Sequence, residues 1–339
     1  MITLVAAPSA GPQTDPFLPG KSPWGPDDQA GNSNTQTPEK VLQATKLIKT
    51  GKKYPLGHEY HRDMPKFPGN SWAMEMRPPT QVLRQVFNQE YIHGDIAQNG
   101  TQFDGLGHFG IQAQGSVNPQ DTQYYNGFTG SQVHGVDGLR LLGVQNMKPF
   151  FTRGILIDVA RYLNQNNVLN EGQEITMKMV RDTLKAQGMT EADIQVGDVV
   201  LFRTGWEQYW DNPDVYYRGA PGMGGGVPGI GLEVAKWLAS KQVACVGADN
   251  WGVSVAPHPQ EGSPDPPPSD ILEPVHNELI VKNGIPHQES MALSALAEDA
   301  ADEKNANGNG RAAYTFAYIF VPVPIRGASG SPGIPLAVK

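Results

Sequence analysis

Cysteine is nearly absent from this 339-residue chain, with Cys245 standing alone. That excludes an internal disulfide and leaves a reducing compartment permitted. Its neighbours, Val243-Ala-Cys-Val-Gly247, are those of a buried strand, so the thiol reads as a small core side chain rather than a nucleophile. Long apolar runs are missing as well, and none approaches the ~20 residues that span a bilayer. The opening Met1-Ile-Thr-Leu-Val-Ala-Ala7 carries neither the basic start nor the full apolar stretch of a secretion signal. Cytoplasmic residence is the expectation. Basic clusters are lacking too. With 26 Lys and Arg against 34 Asp and Glu, the net charge is -8 and the pI is near 5.5. That balance suits neither nucleic acid nor an anionic membrane surface, and a small-molecule partner is expected instead.

What is present is a chain of 36.7 kDa with 39 glycines and 29 prolines, rich in loops but short of the composition of disorder. No repeat and no clean boundary divides it. Residues 1–37 hold turn formers and little periodic apolar content, so they are expected to form an extended surface arm. Residues 38–339 are expected to form one domain. Thr37, Pro38 and Gly51 mark the cap, first turn and stop of a helix. Short apolar runs at Arg153–Ala160, Gly197–Trp206 and Val243–Asp249 predict buried strands, and Thr176–Gln187 predicts a helix. Such alternation of strand and helix predicts an α/β fold.

The stretch with most chemistry is His93-Gly-Asp-Ile-Ala-Gln98-Asn-Gly100-Thr-Gln102-Phe-Asp104-Gly-Leu-Gly-His108. If Ile96–Phe103 is extended, Gln98, Gln102 and Asp104 share one face, with Gly100 leaving space between them. His108, beyond two glycines, can fold back over that face and supply a titratable nitrogen. This makes a candidate cation site. A solvated strand face beside a satisfied core histidine is the plainer reading of the same residues. His58-Glu-Tyr-His61, bracketed by Pro55 and Pro65, is a weaker metal candidate.

The run resembles the central motif of the metal-dependent cyclase family, which includes bacterial kynurenine formamidase and isatin hydrolase. The usual motif is His-x-Gly-Thr-His-x-Asp-x-Pro-x-His. Gly100, Thr101, Asp104 and His108 match it, whereas Gln98 and Gln102 stand in place of two metal-binding histidines and Leu106 replaces the proline. Trp24-Gly-Pro-Asp-Asp28-Gln-Ala-Gly31-Asn-Ser-Asn34 resembles the opening of longer members. The Thr204-Gly-Trp206 turn and the Gly330-Ser-Pro332 tail are similar to the family's own. The resemblance implies a swivelling β/β/α architecture, a central mixed sheet flanked by helices. It further implies that His276 and Glu289, thirteen residues apart, contribute to a metal centre; His287 competes for that place. It assigns the region around Phe67 and Trp72 to the walls of the substrate pocket.

Gln98, Gln102, Asp104, His276 and Glu289 together would offer amide, imidazole and carboxylate ligands to a divalent cation. Amide oxygens are hard and neutral, so manganese is expected first and zinc next. His108 is expected to take a proton from water and return it to the leaving group. The resemblance implies hydrolysis of an amide, of the formyl-amide or cyclic-imide kind, or of a lactone. Phe103, Trp72 and Trp251 would suit a flat or aromatic substrate. A metal-free binding protein and a metal-dependent lyase or dehydratase stay open as alternatives. Tyr124, Tyr125, Phe128 and His134, scattered through the irregular stretch 110–148, are expected to line a pocket, meet a second subunit or pack on the surface. A homo-oligomer, dimer or tetramer, is expected. Asp249-Asn-Trp251 closes a strand and is expected to face the ligand crevice. The proline-stiffened loop 252–270 is expected to act as a flap.

Overall fold

The computed structural model describes residues 15–113, 115–163, 166–258 and 270–339. Nine strands form the central sheet: β1 Lys53–Pro55, β2 Gln102–Asp104, β3 Phe150–Asp158, β4 Val199–Arg203, β5 Cys245–Ala248, β6 His287–Glu289, β7 Thr315–Phe320, β8 Gly330–Pro332 and β9 Leu336–Val338. Their order is β1-β9-β7-β3-β4-β5-β6-β2-β8. The four central strands, β3 to β6, run parallel, and antiparallel pairs close both sides. This is the expected mixed sheet in a single domain.

The three expected strands are the middle of this sheet. Ile155, Leu156 and Ile157, Val199 to Phe202, and Val243 to Val246 are all buried. Continuous apolar runs of this kind are what a parallel sheet covered on both faces requires. Cys245 sits among them as a core side chain, its thiol pushed up by burial. Flanking helices are α1 Pro38–Thr45, α2 Met177–Ala186, α3 Leu232–Ser240 and α4 Ser294–Asn307. Thr37 and Thr176 cap α1 and α2 as expected, each accepting a backbone N–H three residues on.

Several expectations are corrected. The sequence predicts a short helix over Glu289–Asp299 and a polar turn over Ala300–Arg311; instead Glu289 ends a strand, and the helix begins only at Ser294 and runs to Asn307. Pro274–His276 starts as an α-helical turn, then widens into a π-helical turn over Asn277–Lys282. The arm is not simply extended: Gly31–Thr35 is a 3₁₀ turn with Asn32 and Ser33 buried. Its first 14 residues, and most of the expected flap (259–269), lie outside the described residues.

The arm is held by Asp28, which accepts from Ser22 Oγ (2.7 Å), Asn34 Nδ2 (2.8 Å) and Tyr125 Oη (2.7 Å). Asn126 Nδ2 donates to the carbonyls of Gly25, Pro26 and Asp28. Gly31, at φ +53°, lies so near the Gly284 carbonyl that a Cβ would come within 2.3 Å of it. Tyr125 therefore clamps the arm and Tyr124 bonds His134 at 2.8 Å; neither lines the pocket. Among the described residues, no helix is long and apolar enough to cross a membrane.

Candidate metal centre and substrate pocket

The site is assembled by strand pairing. In the antiparallel β2–β6 ladder, Gln102 faces Glu289 and Asp104 faces His287, with Phe103 opposite Gln288. Opposed residues share a face, so Gln102, Asp104, His287 and Glu289 point together into one space while Phe103 points away. Phe103 is fully buried against Phe150 and Phe320. It belongs to the core, which corrects its expected substrate role: in a strand, the residue between two site residues faces the other layer.

Gln98 reaches the site by another route than expected. Ile96 and Ala97 form a turn rather than a strand, and Gly100 adopts φ +65° with the Tyr60 ring against it. Gln98 then enters from the loop. Space for it is left by Gly330 of β8, opposite Asp104, where a Cβ would sit 2.9 Å from Gln98 Nε2 and 2.6 Å from the Phe103 carbonyl. His108 folds back through the Gly105–Gly107 turn as expected, and its Nε2 lies 3.5 Å from Asp104 Oδ2.

The structure brings all five expected ligand residues together, but both amides turn an N–H, not an oxygen, toward the site carboxylates. Gln98 Nε2 donates to Asp104 Oδ1 at 2.9 Å. Gln102 Nε2 donates to Glu289 Oε2 at 2.9 Å and to Gln98 Oε1 at 3.3 Å. His276 Nε2 lies 3.2 Å from Glu289 Oε1 and 3.9 Å from Asp104 Oδ2. Asp104 Oδ2 is buried without a hydrogen-bond partner. His287 joins the group: its ligand atom and those of His276 and Glu289 lie within 4.8 Å of one another, and neither of its ring nitrogens has a partner.

Charge is concentrated here. Burial and the neighbouring Asp104 push Glu289 up to about 8, although the His276 hydrogen bond opposes this. Burial disfavours the charged form of His276, yet Glu273 and Glu289 at its two nitrogens prevail and raise it to about 10. Glu273 lies 3.3 Å from His276 Nδ1 and also accepts from Ser254 Oγ at 2.9 Å. Burial would raise Glu273, but the imidazoles of His258 and His276, at 3.5 and 3.3 Å from its Oε2, hold it down at about 2. Burial lowers His108, with Asp104 opposing and His276 adding to the fall. Burial and the two neighbouring imidazoles drive His287 well below its usual range.

A cavity of about 390 Å³ opens onto Gln98, Gln102, His108, His276 and Glu289. Its other walls are aromatic: Phe67, Phe109, Tyr217 and Trp251. Phe67 meets Trp251 edge-on at 5.6 Å and Tyr217 at 5.8 Å. A wider opening of about 610 Å³ adjoins it across Phe109, Leu272 and Glu273 and touches none of the three imidazoles.

Trp251 and Phe67 thus stand where expected. Trp72 does not line the cavity; it is buried in a second aromatic cluster with Trp206, Trp210 and Tyr216. His58 stacks flat on Trp210 at 4.1 Å, and burial lowers it to about 4. Its neighbour His61 is exposed, so the pair is not a metal pair. Asp249 turns out to anchor the Thr204–Gly205 turn, accepting both backbone N–H groups, and only Trp251 of its triplet faces the cavity. Glu273 and Tyr217 were missed. Glu273 could have been found from its spacing of three to His276 on a helical turn; Tyr217 carries no sequence signal.

A family model described as putative cyclase matches residues 54–255. A crystal structure described as a novel cyclase is 29% identical, covers 95% of this chain and 100% of its own, and superposes with a TM-score of 0.77. Isatin hydrolase A from Ralstonia solanacearum is 17% identical with a TM-score of 0.57, covering 89% of this chain and 98% of its own. Isatin hydrolase A from Labrenzia aggregata, bound to benzyl benzoate, is 16% identical with a TM-score of 0.54, covering 88% and 97%. At these identities the two hydrolases share the fold.

A curated relative, a histone-lysine N-methyltransferase specific for H3 lysine-36 from Aspergillus oryzae, is 22% identical over 211 residues, 58% of this chain and 22% of that one. The chain therefore spans about a fifth of that relative's length. The family match covers more than half of the sequence and includes both the Gly100–His108 turn and the Thr204–Trp206 turn. The chain belongs to the putative cyclase family.

Proposed function

We propose that the protein is a divalent-cation-dependent hydrolase that opens an amide, cyclic amide or lactone bond in a flat, aromatic-sized substrate. The observation that carries this reading is Asp104 Oδ2, a carboxylate oxygen buried without a hydrogen bond and faced by the Nε2 atoms of His108 and His276. Leaving such an oxygen unsatisfied costs about 1–3 kcal/mol or more, a cost that a cation would remove.

The donor set fits. Asp104, Glu289, His276 and His287 offer two carboxylates and two imidazoles, and turning the Gln98 or Gln102 amide about its last torsion would bring a neutral oxygen inward. With imidazoles in the set, manganese and zinc are both accommodated, and manganese is favoured to the extent that the amide oxygens take part. A bound cation supplies a Lewis acid that polarises a carbonyl and acidifies water.

The chain's own residues supply the rest. His108, kept neutral by burial, accepts a proton from water at Nε2 and returns it to the leaving nitrogen or oxygen. Glu273 fixes the ring of His276 by holding Nδ1, so that Nε2 faces the reacting space. Phe67, Tyr217 and Trp251 hold an aromatic substrate and exclude water.

A second reading has its own observation. Both glutamines already donate an N–H to a site carboxylate, and a protonated His276 lies between Glu273 and Glu289, which together satisfy much of the charge without a cation. On that reading the protein binds a small molecule without cleaving it. Elemental analysis of the purified protein, with a hydrolysis panel of formyl-amides, cyclic imides and lactones followed by proton release, separates the two. A stoichiometric divalent metal and turnover removed by chelation support the hydrolase. Metal-free protein that stays inactive after incubation with manganese or zinc rejects it.

A further inference from the structure

Serine rarely adopts a left-handed backbone, yet Ser290 does so at φ +52°. In that conformation Cβ crowds the neighbouring carbonyl, a strain that glycine escapes. Ser290 is also buried, at 2% exposed, so loop freedom does not account for it. Outliers of this kind persist only where their surroundings over-determine them, and they gather at functional sites. This one directly follows Glu289.

Three backbone bonds hold the turn. The Ser290 N–H donates to the Asn250 carbonyl at 2.8 Å, and the Met291 N–H donates to the Ala248 carbonyl of β5 at 3.1 Å. The Ser290 carbonyl accepts from Thr101 Oγ1 at 2.6 Å. Continuing the β2–β6 register by one residue sets Ser290 opposite Thr101, so the threonine hydroxyl stands in for a backbone donor where the ladder ends. Thr101 is itself fixed. It is fully buried, its hydroxyl accepts the His58 N–H at 2.9 Å, and its carbonyl accepts from the Tyr60 hydroxyl. Room for the Thr101 hydroxyl is left by Gly57, where a Cβ would come within 2.9 Å of it.

We propose that Thr101 and Ser290 are positioning residues for Glu289: the Thr101 hydroxyl locks Ser290 left-handed, and the locked turn fixes where the Glu289 carboxylate stands. An extended residue at 290 would prolong β6 beside β2, whereas the left-handed one ends the ladder at Glu289 and returns the chain to β5. A carboxylate placed in advance spares a ligand the cost of ordering it. The part of Glu289 as a cation ligand rests on the proposed function; the lock does not. Glycine at 290 reaches the same φ without strain but also many others, so it relieves the backbone while releasing the carboxylate.

The test has one arm without cation and one with it. In cation-free protein, Ser290→Gly is expected to keep the melting temperature within about 2 °C of the wild type, while protection of the 287–291 amides from hydrogen exchange falls about tenfold. Thr101→Val should lower that protection likewise, and Thr101→Ser, which keeps the hydroxyl, should restore it. Ser290→Ala drops only the hydroxyl that meets Tyr216 and should match the wild type. In the second arm, manganese or zinc is titrated against a chelating indicator. Ser290→Gly and Thr101→Val should each bind about tenfold more weakly, and the double variant no more weakly than either, because both open one lock. Unchanged protection in Ser290→Gly overturns the proposal. So do a melting temperature that falls by more than about 5 °C in that variant, Ser290→Ala as loose as Ser290→Gly, or affinity losses that multiply in the double variant. A wild type that binds neither metal rejects the hydrolase reading, and the exchange arm still decides the lock.

Discussion

At the scale of single residues, the site is a buried group of acids and imidazoles whose roles differ by position. On the proposed reading His108 is the base: burial lowers its pKa, and its Nε2 lies 3.5 Å from Asp104 Oδ2. His108→Asn should lower turnover about 10²–10⁴-fold, the range for loss of a general base, with metal content unchanged by elemental analysis. Asp104→Asn should instead lose the metal along with activity, and metal retained at full stoichiometry would remove Asp104 from the ligand set. Gln98→His together with Gln102→His would restore imidazoles where the family motif has them. That exchange should shift preference toward zinc, read as the relative affinities for zinc and manganese in a competition titration.

The sequence made most of this group legible, since Gln98, Gln102, Asp104 and His108 lie within eleven positions and two-residue alternation places Gln102 and Asp104 on one face. It misplaced Phe103 by ignoring that same alternation, and Trp72 because an aromatic side chain suits a core as well as a pocket. Tyr217 was invisible, because its place in the wall is set by tertiary packing alone.

Structural elements supply the second level of control. Strand β8 matters through a missing side chain: Gly330→Ala would press a methyl group on the Phe103 carbonyl and on Gln98. A cost of about 1–3 kcal/mol is expected from such overpacking, measured by urea unfolding, with loss of activity if Gln98 is displaced. The N-terminal arm depends on Asp28. Asp28→Asn should weaken the bonds from Ser22, Asn34 and Tyr125 and cost about 2 kcal/mol in the same assay.

At the other end of the sheet, Lys339 of the segment following β9 meets Asp299 of α4 at 3.0 Å, and Lys52 meets the same carboxylate. Burial would raise Asp299, but Lys52, Lys339 and Tyr54 prevail and hold it at about 2. A depressed acid binds fewer protons folded than unfolded, so its stabilisation is complete above pH about 4 and is lost as pH falls toward 2. Asp299→Asn should flatten the melting-temperature profile across that window. Strand and helix positions were readable where runs were long. Ends were not: Glu289 was drawn into a helix because Met291 to Ala301 is rich in helix formers, while pairing with Gln102 holds it in a strand.

For the whole molecule, a cation bound as proposed would stabilise by mass action. At a hundredfold excess over its dissociation constant the gain is about 2.7 kcal/mol, and chelation should lower the melting temperature by several degrees.

Gln102 and Glu289, bonded to each other, are 187 residues apart in the chain. Contacts so distant in sequence form late, after the intervening loop has been closed. On the proposed hydrolase reading, a ribosome-bound chain that ends before β6 owns the whole Gln98–His108 motif but lacks His287 and Glu289, two of the four carboxylate and imidazole side chains offered to a cation. Cation uptake would then belong to the finished polypeptide.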